Sequence, residues 1–145
     1  MYVDENKDRA EERAMKWITA YYHTAMKHYE MTSQKFGSHK GYEFYSSVGK
    51  FIAKHGMDGA AQDFAKLMPC GTPDQVLEKF DFIRKTIDMN GIMCNFSYAG
   101  MPFDEVERSM QCFAKHVLPE LQKWQTEPLL ENPPELKMPA PSQAA

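Results

Sequence analysis

Two runs, Pro69-Cys-Gly-Thr-Pro-Asp-Gln-Val-Leu-Glu-Lys-Phe80 and Met93-Cys-Asn-Phe-Ser-Tyr-Ala-Gly-Met-Pro-Phe103, decide how this chain is read. The first opens a helix. Thr72 and Gln75 have capping-box spacing, in which the Thr72 hydroxyl accepts from the Gln75 N–H and the glutamine amide reaches back. Pro73 suits the first helical position, where a missing N–H costs nothing. Val76, Leu77, Phe80, Ile83 and Ile87 then recur at helical spacing. Asn90-Gly91 stops the helix, since both residues tolerate positive φ. Residues 92–98, Ile-Met-Cys-Asn-Phe-Ser-Tyr, are short and largely apolar, as in a strand covered on both faces. Helix, buried strand and helix in succession form the repeating unit of an α/β protein, and that is the expected class.

Working outward, the ends of the chain are mainly helical. Tyr2-Val3 reads as the close of a strand, and a long helix starts at Asp4 or Asn6 and runs to about Met31. Ala10, Ala14, Trp17, Ile18, Tyr21, Ala25 and Tyr29 trace one face of it at steps of three and four. Its aromatics Trp17, Tyr21, Tyr22 and Tyr29 could line a cofactor, but core or interface packing already explains their spacing. Residues 32–47 form a Gly-, Ser- and Lys-rich connection. Its Lys40-Gly-Tyr-Glu-Phe-Tyr45 cluster suits a rim or lid, although rings that merely anchor the loop fit as well. Val48–His55 and Ala60–Met68 read as short helices separated by Gly56–Gly59. Cys70-Gly71 is either a very short strand or a turn. After Gly100-Met-Pro102 the last long helix begins, with Asp104 and Glu105 favouring its positive end. Phe103, Val106, Met110, Phe113, Val117, Leu121 and Trp124 continue its apolar stripe. Pro119 should kink or restart it. Residues 126–145 hold five of the nine prolines and read as a disordered or partly polyproline-like tail, leaving 1–125 as the folded unit.

Composition narrows the function classes. At 145 residues and a net charge of −3, this is at most one ordinary soluble domain, without the basic field that nucleic acid or an anionic membrane surface requires. No apolar run approaches the roughly 20 residues of a membrane span, and the polar, acidic start is unlike a secretory signal. The three cysteines, Cys70, Cys94 and Cys112, make no CxxC pair and fit small apolar residues in a reducing cytoplasm. His23 and His28 stand five apart and no HExxH occurs, so no metal site is expected. Walker, GxGxxG and GxSxG patterns are absent. A phosphate at the Gly71-Thr-Pro-Asp74 helix start competes with Thr72 and is repelled by Asp74. What remains is location. Ligands of α/β proteins collect beyond the carboxyl ends of strands, which points to Asn95, Ser97, Tyr98 and the Ala99-Gly-Met101 turn.

The same residues carry a resemblance. Gly71-Thr-Pro-Asp-Gln-Val-Leu-Glu-Lys79, then Phe96-Ser-Tyr-Ala-Gly-Met-Pro102, then Val106, Ser109-Met110 and Phe113-Ala-Lys-His-Val-Leu-Pro119 resemble the carboxy-terminal part of luciferase-like, flavin-dependent monooxygenases. Tyr2-Val3-Asp4 and Lys40–Tyr45 look like that family too, so the similarity runs from about Tyr2 to Trp124. It implies a partial (β/α)8 TIM barrel, comprising the last two or so strands with their helices. It also implies reduced FMN as cofactor, dioxygen, and a small organic substrate. Asn95, Phe96, Tyr98, Gly100 and Met101 are the implied cofactor-binding positions, lining the barrel mouth. No residue is implied as catalytic, because the flavin performs the oxidation while protein groups position and shield it. A whole barrel of this kind takes about 250 residues, so the resemblance implies that the isolated chain is inactive without an N-terminal portion. A non-catalytic helical interaction or oligomerisation module, with copies covering one another's apolar faces, is the alternative.

Overall fold

The computed structural model describes residues 1–33, 39–87, 89 and 91–125, with the side chains of 43 and 44 set aside. Among the described residues six helices follow in order: α1 (Lys7–His28), α2 (Glu43–His55), α3 (Met57–Leu67), α4 (Pro73–Ile87), α5 (Phe103–Cys112) and α6 (Leu118–Leu121). A π-helical turn, Phe113–Val117, joins the last two.

The helix starts follow local chemistry. The Asn6 side chain accepts from the Arg9 N–H at 2.9 Å and caps α1. At α4 the expected capping box forms, with the Thr72 N–H donating to Gln75 Oε1 at 2.9 Å and the Gln75 N–H to Thr72 Oγ1 at 3.5 Å. Gly71 precedes it at φ +135°, and a Cβ there would lie 2.4 Å from Gln75 Oε1. Gly56 alone, at φ +76°, separates α2 from α3. The expected four-residue linker is therefore shorter, because Met57 already starts α3 and Gly59 sits inside it. Before Pro119 the helix widens: the Leu118 N–H reaches back five residues to the Phe113 carbonyl. That register change accommodates a proline that cannot donate to the carbonyl four residues back.

The expected partial barrel is not there. Among the described residues no strand forms, regular structure is helical, and the β features reduce to one isolated parallel bridge between Val3 and Gly71. Residues 92–98 were expected to be a buried strand. Instead they run irregularly, with Cys94, Phe96 and Tyr98 half-buried while Met93, Asn95 and Ser97 face out. Alternation of this kind suits a strand, but a strand exists only through its ladder. Here the Asn95 carbonyl accepts from the Met1 amino group at 2.7 Å and the Tyr98 carbonyl from the Met101 N–H at 3.1 Å. Neither bond is a rung.

Three apolar clusters make the interior. The first gathers Tyr2, Ala14, Ile18, Ala65, Met101 and Val106. The second gathers Val3, Val76, Phe80, Cys112 and Val117, and a small third joins Tyr22 to Ala60 and Ala61. Phe96 packs against the first two and Phe64 against the first and third. On α1 the buried stripe is Ala10, Ala14, Ile18 and Tyr22, so Tyr22 takes the inward place and Tyr29 stays exposed. No described helix is long and apolar enough to cross a membrane. Asn90 and the 126–145 tail, both singled out in the sequence, lie outside the described residues.

Candidate functional site

The first four residues are held by three later segments. The Gly71 N–H donates to the Tyr2 carbonyl at 3.0 Å, and the Asp4 N–H donates to the Gly71 carbonyl at 3.2 Å. The Tyr2 N–H points at Cys70 Sγ, 3.1 Å away, and the Val3 N–H donates to Ser109 Oγ at 2.9 Å. With Met1 bound to Asn95, this brings residues 1–4, 70–72 and 92–98 together. Beside Met1 and residues 92–98, against α1, α3 and α4, lies a cavity of about 240 Å³.

Its walls are apolar and aromatic. Ile18, Tyr21, Phe64, Met68 and Phe80 form one side, and Cys94, Asn95 and Tyr98 the other. The Tyr98 ring meets Tyr21 edge-on, with centroids 6.0 Å apart, and Tyr21 stacks on Phe64 at 6.5 Å. The Tyr98 hydroxyl is buried and has no partner among the described residues. Just beyond it, Ala99 (φ +55°) and Gly100 (φ +74°) turn the chain through the left-handed region. Glycine adopts that conformation freely and alanine does not.

Of the residues implied by the resemblance, Asn95 and Tyr98 line this cavity. Phe96 turns away and packs edge-to-face on Phe113, at 5.2 Å. Met101 is buried beside Tyr2 and Val106, and Gly100 sits in the exposed turn. The structure adds Met1, Ile18, Phe64 and Met68, which the sequence did not single out as a site. Helical spacing had placed Ile18 and Tyr21 on one face of α1, and that was the available signal.

Burial drives the ionisable groups here toward their neutral forms. It pushes the Met1 amino group below its ordinary value, against the opposing pull of Cys70 and Cys94. It pushes the Cys70, Cys94 and Tyr98 groups upward. Such a site has no thiolate nucleophile and no poised carboxylate. Its mostly apolar, partly exposed lining can hold an apolar group.

Two buried acids outside the cavity lining hold separate ion pairs. Asp4, 2% exposed, accepts two bonds from Arg9, at 2.6 and 2.7 Å, and one from the Asn6 N–H at 2.9 Å. Glu105 is buried and accepts from Arg13 at 3.1 Å and from the Trp17 indole at 2.8 Å. The sequence had read Glu105 only as a helix-dipole partner. His23 pairs with Asp58 at 3.1 Å and the His28 ring packs on Tyr29. Among the described residues, no group of three or more His, Cys, Asp or Glu could hold a metal ion. Compared with protein-family models, curated proteins and solved structures, the chain finds no match.

Proposed function

We propose that this chain is part of a luciferase-like, FMN-dependent monooxygenase and supplies one wall of the site for reduced flavin and a small organic substrate. The reading is supported by the resemblance over residues 2–124. One observation carries it: Asn95 and Tyr98, which the resemblance puts beside the flavin, line an aromatic-walled, neutral cavity. Tyr21, Phe64 and Tyr98 offer ring faces and edges to a planar heterocycle, and Asn95 offers an amide.

The fit is partial. At about 240 Å³ the cavity is below the roughly 300–1,000 Å³ of ordinary ligand pockets. No lysine or arginine lines it, so nothing there suits the cofactor's phosphate. The flavin, when bound, supplies the oxygen chemistry. The residues of this chain cover part of the ring and keep water away, and turnover needs groups from outside this chain. Three free thiols accord with a reducing, cytoplasmic setting.

A second reading has its own observation. Met93 is 96% exposed and Phe103 86%, and Leu67, Phe82 and Ile87 are also largely uncovered. Large apolar side chains left in water mark interaction surfaces, as a helical self-association module would carry. Titrating the purified chain with FMN while following flavin fluorescence, with sedimentation velocity alongside, separates the two. Saturable quenching supports the flavin reading. Concentration-dependent dimerisation with no quenching supports the module and removes the flavin.

A further inference from the structure

The apolar stripe expected along the last long helix is split between two faces. Val106 and Val117 are buried, whereas Phe103 is 86%, Met110 50% and Leu118 38% exposed. Residues 103, 107, 110, 114 and 118 follow one another at steps of three and four, and all five are exposed. They form one outward line along α5 and the π-helical turn. The wider turn puts Leu118 on that line, where a regular helix would carry Val117, seven residues after Met110.

Charge changes sign along this face. Its first half carries Asp104, which has no ion pair among the described residues, and Glu107, whose carboxylate accepts from the neutral Gln111 amide at 3.1 Å and keeps its charge. Arg108 is directed away from the line, toward Asp4 at 3.7 Å. The second half carries Lys115. Its counter-charge, Glu5 at 3.5 Å, is shared with His116, and both members of the lysine pair are largely open to water, which screens it. Glu120 is paired with Lys123.

We propose that a second copy of this chain docks on the Phe103–Met110–Leu118 line, antiparallel about a two-fold axis at Met110. The proposal gives the self-association reading a surface and rests on that reading. An isologous contact repeats every pairing twice. Here Phe103 meets the partner's Leu118, Met110 meets the partner's Met110, and Asp104 approaches the partner's Lys115. A parallel copy would instead set Asp104 and Glu107 against their own counterparts, where like charges repel. Three large apolar side chains on a short helix supply only part of the roughly 800 Å² per partner of a standard interface. The dimer is accordingly weak, with a dissociation constant on the order of 10 μM.

The test is sedimentation equilibrium of the full chain from about 1 to 200 μM. A monomer–dimer equilibrium is expected. Phe103→Ser and Met110→Ser, both at exposed positions, should each weaken it by about tenfold. Asp104→Lys and Lys115→Asp should each weaken it by about threefold, and the two together should restore it. A monomer at every concentration overturns this proposal and the self-association reading together. A dimer of unchanged strength in both serine variants keeps that reading and overturns this surface. A dimer that the double charge exchange fails to restore overturns the antiparallel arrangement and the proposal with it.

Discussion

The indole N–H of Trp17 donates to the Glu105 carboxylate at 2.8 Å, joining residues 88 apart in the chain. Arg13, one turn before Trp17 on α1, holds the other oxygen of the same carboxylate at 3.1 Å. One buried acid thus fixes the long first helix to the start of α5, above the first apolar cluster.

Removing that acid should be costly. Glu105→Ala leaves the Trp17 N–H and the Arg13 guanidinium without their acceptor, and stability should drop by about 2–4 kcal/mol. Glu105→Gln keeps an oxygen for the indole and should cost less. Urea unfolding followed by circular dichroism measures both. Equal losses in the two variants would mean that the carboxylate charge, and neither the side chain's volume nor the bond to the indole, carries the contribution.

Gly71 is required by two separate features. Its φ of +135° strains any side chain, and a Cβ would meet Gln75 Oε1 at 2.4 Å, where that oxygen caps the Thr72 N–H. Gly71→Ala should destabilise by about 1–3 kcal/mol. Gly91, around which a Cβ finds open space, is the control and should tolerate alanine with a much smaller change in the urea midpoint.

Asp4 predicts an acid limit. Burial raises its pKa, but the Arg9 guanidinium, the Asn6 N–H and Arg108 together outweigh burial and hold it below the ordinary 3.8. A depressed folded pKa contributes stability above the unfolded value, and that stability is lost as pH falls through the folded value. The urea midpoint should therefore decline below about pH 4. In Asp4→Asn the decline should be shallower and the midpoint at neutral pH lower. An unchanged acid profile in that variant would show that other carboxylates set the limit.

The thiols predict the opposite limb. Burial is the first cause raising Cys70, Cys94 and Cys112 above their ordinary 9.0. A raised folded pKa contributes stability that is complete below pH 9 and is lost as pH rises through the folded values. In the folded chain at pH 8 all three should react with a disulfide reagent more slowly than in urea. Comparable rates in the two conditions would contradict their burial.

Helix chemistry was legible in the sequence, and the class of the fold was not. The Thr72–Gln75 box, the Asn6 start, the Gly56 break and the disturbance at Pro119 all depend on neighbours within about five residues, so spacing reveals them. Residues 92–98 illustrate the opposite case. Their apolar composition and alternating burial suit a strand, but a ladder depends on a partner segment that local sequence does not encode. The cavity was not legible from local sequence. Asn95 and Tyr98 were named as the end of a strand that does not form, and they meet Ile18, Phe64 and Met68 only through the packing of residues 92–98 against α1 and α3. The pairing of Glu105 with Trp17 was hidden for the same reason: a glutamate in a first helical turn reads as a dipole partner until its neighbour from another helix is known.

A paired titration tests whether the cavity beside Asn95 and Tyr98 receives a flavin ring, as proposed. FMN fluorescence is followed against the native chain and against Asn95→Trp, in which a bulky ring at an exposed wall position obstructs the cavity. Saturable quenching by the native chain is expected, with binding weaker by about tenfold, or 1.4 kcal/mol, in the variant. Absence of saturable quenching by the native chain, or equal affinity in the two, would contradict it.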